Sequence, residues 1–400
     1  MHKSKAVRYA MFGLLYFSQG TILGYFTALN ALYLKSKGAS MTNVGIFAMI
    51  VMIPFVLKIF LGMLSDNVNL LGLGHRKPYI LLGLAIQIGC LIVAPSIDPA
   101  QYFWGFAALA FVLQLGMALY DTCTDGLALD TTPEEEQSTI QGFMVGGRAL
   151  GVIIAASAAG LLAEMSWSVV FWSLAGLSLI PIPLVLGVRE APRPVERVFQ
   201  WSAFRAFRQK SVLAVAGLGF IFFLIIAGAN QNVNPFFEKA FGIELRTAGY
   251  LATVWGIGVV LGGTAGAGLM RRLGDRGAVW VGFVFSVGSL VVLALTPNAG
   301  FIWLVDFLFG ISYGTYQTLY YALSMQCTDK RIAASMYSIL MAVCNVAQGV
   351  GMALSGALAD GIDFRWTFAV LASANLLAIP LIPVLSSKRA AAEAVAVAYD

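Results

Sequence analysis

Long apolar segments follow one another along almost the whole chain of 400 residues. About 20 apolar residues cross the hydrocarbon core of a bilayer as a helix, and on this criterion we predict twelve spans. Only 11% of the residues are charged, against about 25% in a typical soluble domain, so the composition excludes a soluble catalytic domain. We therefore predict an all-α membrane protein, with spans 1 to 12 near residues 9–33, 41–64, 78–94, 102–129, 139–163, 167–187, 211–233, 247–270, 278–296, 301–325, 333–358 and 366–386.

The distribution of lysine and arginine predicts the orientation of these spans, because cytoplasmic loops are richer in both residues. If both termini are cytoplasmic, eighteen of these residues lie on that side and five lie outside, at Lys35, Lys37, Lys239, Arg246 and Arg365. We expect a multi-pass protein of a bacterial inner membrane with both termini in the cytoplasm. The formal net charge of +5 then reflects topology and lipid head groups, and we expect no nucleic-acid partner.

Neither a metal site nor a cofactor site is predicted. The two histidines, His2 and His75, lie outside the spans, and the four cysteines show no metal-ligand spacing. The glycines within residues 256–263 lie inside span 8 with no preceding strand, so we interpret them as helix-packing residues and not as a dinucleotide loop. Because nothing in the chain resembles a nucleophile with its base, we expect no enzymatic activity.

A weak internal repeat divides the chain. Shifting the sequence by 196 residues places residues 160–164 (GLLAE) over residues 356–360 (GALAD). Repeats of half the chain length are typical of transporters, with the solute site near the middle of the membrane between the repeats. We predict two pseudo-symmetric six-helix bundles, residues 1–188 and 211–400, joined by a cytoplasmic linker at 189–210.

Five charged residues lie inside the predicted spans. Asp306 is about five residues inside span 10, and we expect it near the outer interface. The other four are Asp121 and Asp125 one helical turn apart in span 4, Lys58 in span 2, and Arg148 in span 5. An ionised residue at the bilayer centre costs roughly 2.5 to 3.5 kcal/mol, so such residues pair and mark substrate or ion pathways. We expect each cation to lie within ion-pair distance of one aspartate, with either pairing open. We interpret the aspartates as proton-coupling sites and the cations as contacts for an anionic solute. The alternative is two permanent bridges that fix helix packing.

Uncharged polar residues in other spans are candidate solute contacts. In span 10 they recur at helical spacing on one face, which predicts a cavity wall; the alternative is an interfacial aromatic belt. The asparagines that end span 7 would be costly against lipid, so we expect them to line the cavity or an outer gate. Candidates in spans 1 and 11 fit interhelical hydrogen bonds equally well. The candidates are Tyr313, Tyr316, Gln317 and Tyr320 in span 10, Asn230 and Asn234 in span 7, Ser18 and Tyr25 in span 1, and Asn345 in span 11.

The loop after span 2 contains two short motifs. Residues 62–66 read GMLSD and residues 74–77 read GHRK. This pattern resembles the loop signature of the major facilitator superfamily, in which G-x-L-x-D precedes a basic cluster. We predict that Asp66 caps the positive end of a neighbouring helix, and that Arg76 pairs with Asp130 at the cytoplasmic end of span 4. These contacts would form a gating latch; the alternative is ordinary loop charges in solvent.

A closer resemblance lies in spans 2, 4 and 5. The aspartates of span 4 have the spacing D-x3-D-x4-D, and residues 146–151 fit the pattern G-x-R-x-x-G. Together with Lys58, these motifs look like those of the AmpG-type muropeptide permeases. Residues 125–129 (DGLAL) and 16–20 (YFSQG) look like the related acetyl-coenzyme A transporters and bacterial siderophore permeases.

The resemblance implies a secondary transporter of the major facilitator fold. Its implied activity is proton-coupled import of a bulky polar or anionic solute, of siderophore-, muropeptide- or acyl-nucleotide-like chemistry, by alternating access. Its partners would be protons, the small-molecule solute and the lipid bilayer, and we expect a functional monomer. Two alternatives stay open: a non-transporting membrane assembly factor of the same fold, and a proton-coupled exporter.

Overall fold

The computed structural model describes residues 5–72, 74–132, 134–188, 190, 208–327 and 333–385. Within these ranges the chain is almost entirely helical, and no β-strand occurs among them. The longer helices up to residue 188 are α1 (Lys5–Ala28), α2 (Asn30–Ser36), α3 (Met41–Val56), α4 (Lys58–Asn67), α5 (Lys77–Val93), α6 (Phe103–Thr131), α7 (Glu134–Met165), α8 (Trp167–Leu179) and α9 (Ile182–Leu186). The remainder forms α10 (Lys210–Phe241), α11 (Leu245–Ala294), α12 (Ile302–Cys327), α13 (Ala333–Ile362) and α14 (Phe364–Ala374), and a 3-10 helix at Asn375–Val384 continues α14.

Several predicted spans are built from two helices with a break between them. The break between α3 and α4 falls at Leu57, three residues after Pro54, which lies inside α3. Pro181 lies between α8 and α9. The first break makes Lys58 the first residue of α4.

The helix α11 contains two spans. Its 50 residues would extend about 75 Å as one straight helix, whereas the hydrocarbon core is about 30 Å thick. At Gly274 the backbone has φ 68°, a left-handed conformation that glycine adopts without steric cost, and the chain turns there from span 8 to span 9.

The twelve-span prediction is confirmed. Nine helical segments of the described chain are long and apolar enough to cross a membrane, and α11 counts once among them. The two spans of α11, together with α1 and α12, which carry more polar side chains, bring the number to twelve.

The chain divides into two compact units. Unit 1 comprises the described residues within Met1–Val198 and Asn234–Thr253, and unit 2 those within Phe199–Val233 and Val254–Asp400. The end of α10 and the start of α11 thus belong to unit 1. Most of the predicted linker at 189–210 lies outside the described residues, so the predicted boundaries of the two halves stay a prediction.

In unit 1, α1 and α7 approach so closely that their backbones touch. A methyl group added at Gly20 would overlap the carbonyl oxygen of Arg148, and one at Gly151 would overlap that of Phe17. Small residues allow such contact between membrane helices, where dispersion forces and interhelical hydrogen bonds replace the hydrophobic effect. This contact brings the side chain of Arg148 to the polar residues of α1.

Candidate functional site

Four of the charged residues inside the spans meet in one cluster of unit 1, which we call the charge cluster: Lys58, Asp121, Asp125 and Arg148. The Lys58 ammonium forms an ion pair with Asp121 and lies 3.4 Å from Asp125 Oδ2. The Arg148 guanidinium lies 3.5 Å from Asp121 Oδ1. The expectation that each cation lies within ion-pair distance of an aspartate is therefore confirmed. Both cations reach Asp121, and Lys58 bridges the two carboxylates.

Two neutral residues of α1 complete this cluster, and the sequence analysis did not select them. The side-chain amide of Gln19 donates to Asp121, while its carbonyl oxygen accepts from Arg148, with a distance of 3.1 Å to Nε. The Tyr16 hydroxyl donates to Asp125, and the Arg148 guanidinium lies 4.6 Å from the centre of the Tyr16 ring. Their positions, three residues apart in the YFSQG motif, place both on one face of α1.

The two aspartates differ in their access to solvent. The side chain of Asp121 is 7% exposed and that of Asp125 is 40% exposed. Asp121 forms ion pairs with Lys58 and Arg148 and accepts a hydrogen bond from the Gln19 amide. These contacts compensate its negative charge inside the protein. Of the two carboxylates, Asp125 is therefore the more accessible.

A second polar cluster lies where α4, α5 and α6 end or begin. The predicted pair of Arg76 and Asp130 is present, with 3.3 Å between Arg76 Nε and Asp130 Oδ2. Arg76 also donates to Ser65 Oγ at 2.6 Å. A methyl group at Gly126 would overlap the Arg76 guanidinium, so this glycine lets Arg76 lie against α6. The side chain of Asp66 lies outside the part of the chain that the structure describes.

Glu190 caps the start of α5, a contact that the sequence analysis did not predict. Its carboxylate accepts from the backbone N–H groups of three successive residues, His75 at 2.8 Å, Arg76 at 2.9 Å and Lys77. The first N–H groups of a helix have no partner within it, and a carboxylate also interacts favourably with the positive end of the helix dipole. Glu190 thus joins the segment after α9 to the loop that carries Arg76.

The candidates in spans 1 and 11 make interhelical or local hydrogen bonds. Ser18 is buried and accepts from Gln87 at 3.2 Å. Tyr25 is buried too, with its ring edge-on to Phe171 at 5.4 Å between centres. Asn345 accepts from Gln348 within the same helix at 3.3 Å. For Ser18, the interpretation as a helix-packing contact fits this geometry best.

The asparagine at the end of span 7 connects three helices within unit 1. The Asn234 amide donates to the carbonyl oxygen of Ala28 at 2.7 Å and to that of Ala248 at 3.4 Å. Because α1 ends at Ala28, its carbonyl has no helical partner of its own, and Asn234 supplies one. Asn230, one turn earlier, is half-buried.

The structure corrects the predicted tyrosine wall of span 10. Tyr316 and Tyr320 are fully buried in the core of unit 2, where Tyr316 stacks on Phe222 at 3.8 Å between ring centres. Their hydroxyls donate to Asn375 Oδ1 at 2.5 Å and to the carbonyl of Leu340 at 2.9 Å. They are packing residues here, and we remove them from the solute contacts.

Tyr313 and Gln317 are half-buried and remain candidates. Tyr313 lies edge-on to Trp255 at 5.0 Å between ring centres, and Gln317 donates to the Tyr321 hydroxyl at 3.2 Å. Successive residues of a helix point about 100° apart, so Tyr316 and Gln317 face different neighbours although they are adjacent in sequence.

Comparison with known proteins places the chain in a family. The sequence profile of the Major Facilitator Superfamily matches residues 11–350, with a second match at 233–396. The chain is similar to the putative transporter AmpG 4 of Rickettsia conorii, at 25% identity over 68% of each chain. It is also similar to the anhydromuropeptide permease of Escherichia coli, at 22% identity over 85% of this chain and 72% of the relative.

A solved structure with the same fold is that of a mutant of the nucleoside transporter NupG. Its TM-score is 0.80 at 14% identity, over 94% of this chain and all of the other. At this identity the likeness shows the fold alone. The matched proteins are membrane transporters and not enzymes, in agreement with the sequence prediction. This chain belongs to the major facilitator superfamily.

Proposed function

We propose that this protein couples the entry of protons to the import of a bulky polar or anionic solute across a bacterial inner membrane. It does so by alternating access, as a monomer with both termini in the cytoplasm. The observation that carries the proposal is the charge cluster, in which Asp125 is partly exposed while Asp121 is buried and doubly paired.

Protonation of Asp125 changes the net charge of the cluster. Two cations and two carboxylates sum to zero, so one added proton leaves a net charge of +1. The proton also removes the attraction between Asp125 and Lys58, because a neutral carboxyl no longer attracts an ammonium group. The cluster then attracts an anion, and a released ion pair can bias a two-state gate. Proton binding and anion binding thereby favour each other.

Arg148 is the cation best placed to contact the solute. Its side chain is 42% exposed, and it lies over the Tyr16 ring, which fixes the plane of the guanidinium. A planar guanidinium binds a carboxylate or a phosphate in a bidentate geometry. The name of the Escherichia coli relative, an anhydromuropeptide permease, favours a muropeptide as the first solute to test. A ferric siderophore and an acyl-nucleotide are the next two.

The experiment is uptake of a labelled anhydromuropeptide into membrane vesicles under an imposed inward proton gradient, with solute counterflow measured in parallel. We expect the Asp125→Asn variant to lose accumulation against the gradient and to retain counterflow, because the amide keeps the shape of the side chain but cannot titrate. The matched control is Asp98→Asn, since Asp98 lies in a loop and pairs with Lys37 at 3.4 Å, away from the cluster.

Two results would contradict the proposal. Accumulation by Asp125→Asn at the parent level would make Asp125 a structural member of the ion pairs. A parent protein that accumulates none of the three solutes in either orientation of the gradient would favour the assembly factor. Accumulation under the outward gradient alone would identify an exporter.

A further inference from the structure

A buried carboxylate in unit 2 has no counter-charge. Asp306 lies on α12 and is only 3% exposed. Its Oδ2 atom has no hydrogen-bond partner, and no ion pair reaches this residue among those that the structure describes. On the same face of α12, one turn before and one turn after, Ile302 and Phe309 are buried as well, so apolar side chains flank Asp306 along the helix.

Asp121 and Asp306 are both buried carboxylates, but they differ in their partners. Asp121 is equally buried but receives Lys58, Arg148 and the Gln19 amide. An ionised carboxylate inside the membrane without such partners costs several kcal/mol, whereas a neutral carboxylic acid lacks the charge that makes burial so costly.

The charged residues that could approach Asp306 are committed elsewhere or far along the chain. Arg365 begins a helix at the same membrane face as the start of α12, and it donates to the carbonyls of Ala294 at 2.7 Å and Thr296 at 2.8 Å. Lys330 and Arg331 are 24 and 25 positions further along the chain, outside the residues that the structure describes. Asp360 and Asp363, at the end of α13 and just before α14, are acidic and supply no counter-charge.

The position of Asp306 links it to the half-buried polar stripe of α12. Residues seven and eleven positions later on a helix share its face, and these are Tyr313 and Gln317. The adjacent α11 contributes the Trp255 indole, whose N–H is also buried without a hydrogen-bond partner among the described residues. The two helices touch there, since a methyl group at Gly310 would overlap the backbone of Trp255.

We propose that Asp306 is a second proton-binding site of this protein, located in unit 2 and separate from the charge cluster. Its ligand is a proton held on a carboxyl group in an apolar surrounding, at the end of the Tyr313 and Gln317 stripe. The proposal stands on the burial and the missing counter-charge of Asp306. It does not require that Asp125 couples transport.

The first test uses dicyclohexylcarbodiimide on the full-length protein in its membrane. This apolar reagent adds to a protonated carboxyl group, and the resulting O-acylisourea rearranges to a stable N-acylurea without loss of any atom. Peptide mass spectrometry should find the adduct on Asp306, with a yield that falls as the buffer is made more alkaline. A water-soluble carbodiimide should label exposed carboxylates such as Asp98 and leave Asp306 unmodified. The adduct should disappear in Asp306→Asn and persist in Asp125→Asn.

The second test does not require that a reagent reaches the site. If Asp306 is a neutral acid, Asp306→Asn replaces one neutral group by another of the same shape, and the apparent melting temperature should stay at the parent value. Asp121→Asn is the matched comparison and should lower it, because it removes the buried carboxylate that Lys58 and Arg148 share. The infrared spectrum should also lose one protonated-carboxyl band in Asp306→Asn.

An ionised Asp306 would give the opposite results. The proposal is overturned if Asp306→Asn destabilises the protein as much as Asp121→Asn and leaves the protonated-carboxyl bands unchanged. Failure of the uptake experiment with Asp125→Asn would leave these measurements untouched, so the two proposals fail independently.

Discussion

At the scale of the residue, the charge cluster depends on a side chain that carries no charge. Gln19 donates to Asp121 and accepts from Arg148, so one amide joins an anion to a cation. The four charges could be predicted from sequence because ionised residues in a span are costly and must find partners. The roles of Gln19 and Tyr16 could not be predicted from sequence, because neutral polar residues are common in membrane helices. Only the contact of α1 with α7 shows which way these two side chains point. For the same reason, the prediction that Tyr316 and Tyr320 contact the solute was wrong. Their hydroxyls donate to Asn375 and to a backbone carbonyl inside a packed core.

We predict that Gln19→Ala destabilises the protein and reduces coupled accumulation. The variant removes the hydrogen bonds of the Gln19 amide to Asp121 and Arg148, and hydrogen bonds to charged groups contribute about 1.5 to 3 kcal/mol each. The check is thermal unfolding of the purified protein together with vesicle uptake. Gln101→Ala, at an exposed turn, is the control. Equal melting temperatures for Gln19→Ala and Gln101→Ala would show that the amide does not hold the cluster together.

At the scale of the element, the contact between α1 and α7 determines where Arg148 lies. The pattern G-x-R-x-x-G at residues 146–151 begins and ends with glycine, and the sequence does not distinguish these two positions. In the structure Gly151 lies against the backbone of α1, whereas nothing lies within 4 Å of a methyl group added at Gly146. Which face of a helix meets a neighbour depends on tertiary packing, and so only the motif as a whole could be predicted. Glu190 is a similar case, because its partners are backbone N–H groups more than a hundred positions earlier in the chain.

We predict that Gly151→Ala and Gly146→Ala change stability in opposite directions. The added methyl at position 151 must separate two backbones in contact, and overpacking of this kind typically costs about 1 to 3 kcal/mol. At position 146 alanine meets no neighbour and gains up to about 1 kcal/mol from its higher helix propensity. Melting temperatures of the two variants, measured side by side with the parent, test this. A tolerated Gly151→Ala with uptake intact would contradict the proposed close contact.

At the scale of the whole molecule, the architecture follows from features that are local in sequence. The lengths of the apolar segments predict twelve spans, and the structure and the family match agree. The grouping of residues 234–253 with unit 1 was not predictable in this way. It depends on long-range contacts such as those of Asn234 with Ala28 and of Ser157 with Thr253, whose hydroxyls lie 2.8 Å apart. Hydropathy and repeats locate spans but carry no information about such pairs.

If a proton on Asp125 enters with the solute, the pH of the medium reports this coupling. Solute is added to weakly buffered, unenergised vesicles, and a pH electrode follows the outside. We predict an alkaline shift with the parent protein and with Asp98→Asn, because protons leave the medium together with the solute. With Asp125→Asn we predict no shift, although counterflow of the solute persists. An alkaline shift of parental size with Asp125→Asn would contradict the account and would place the coupling proton at another residue.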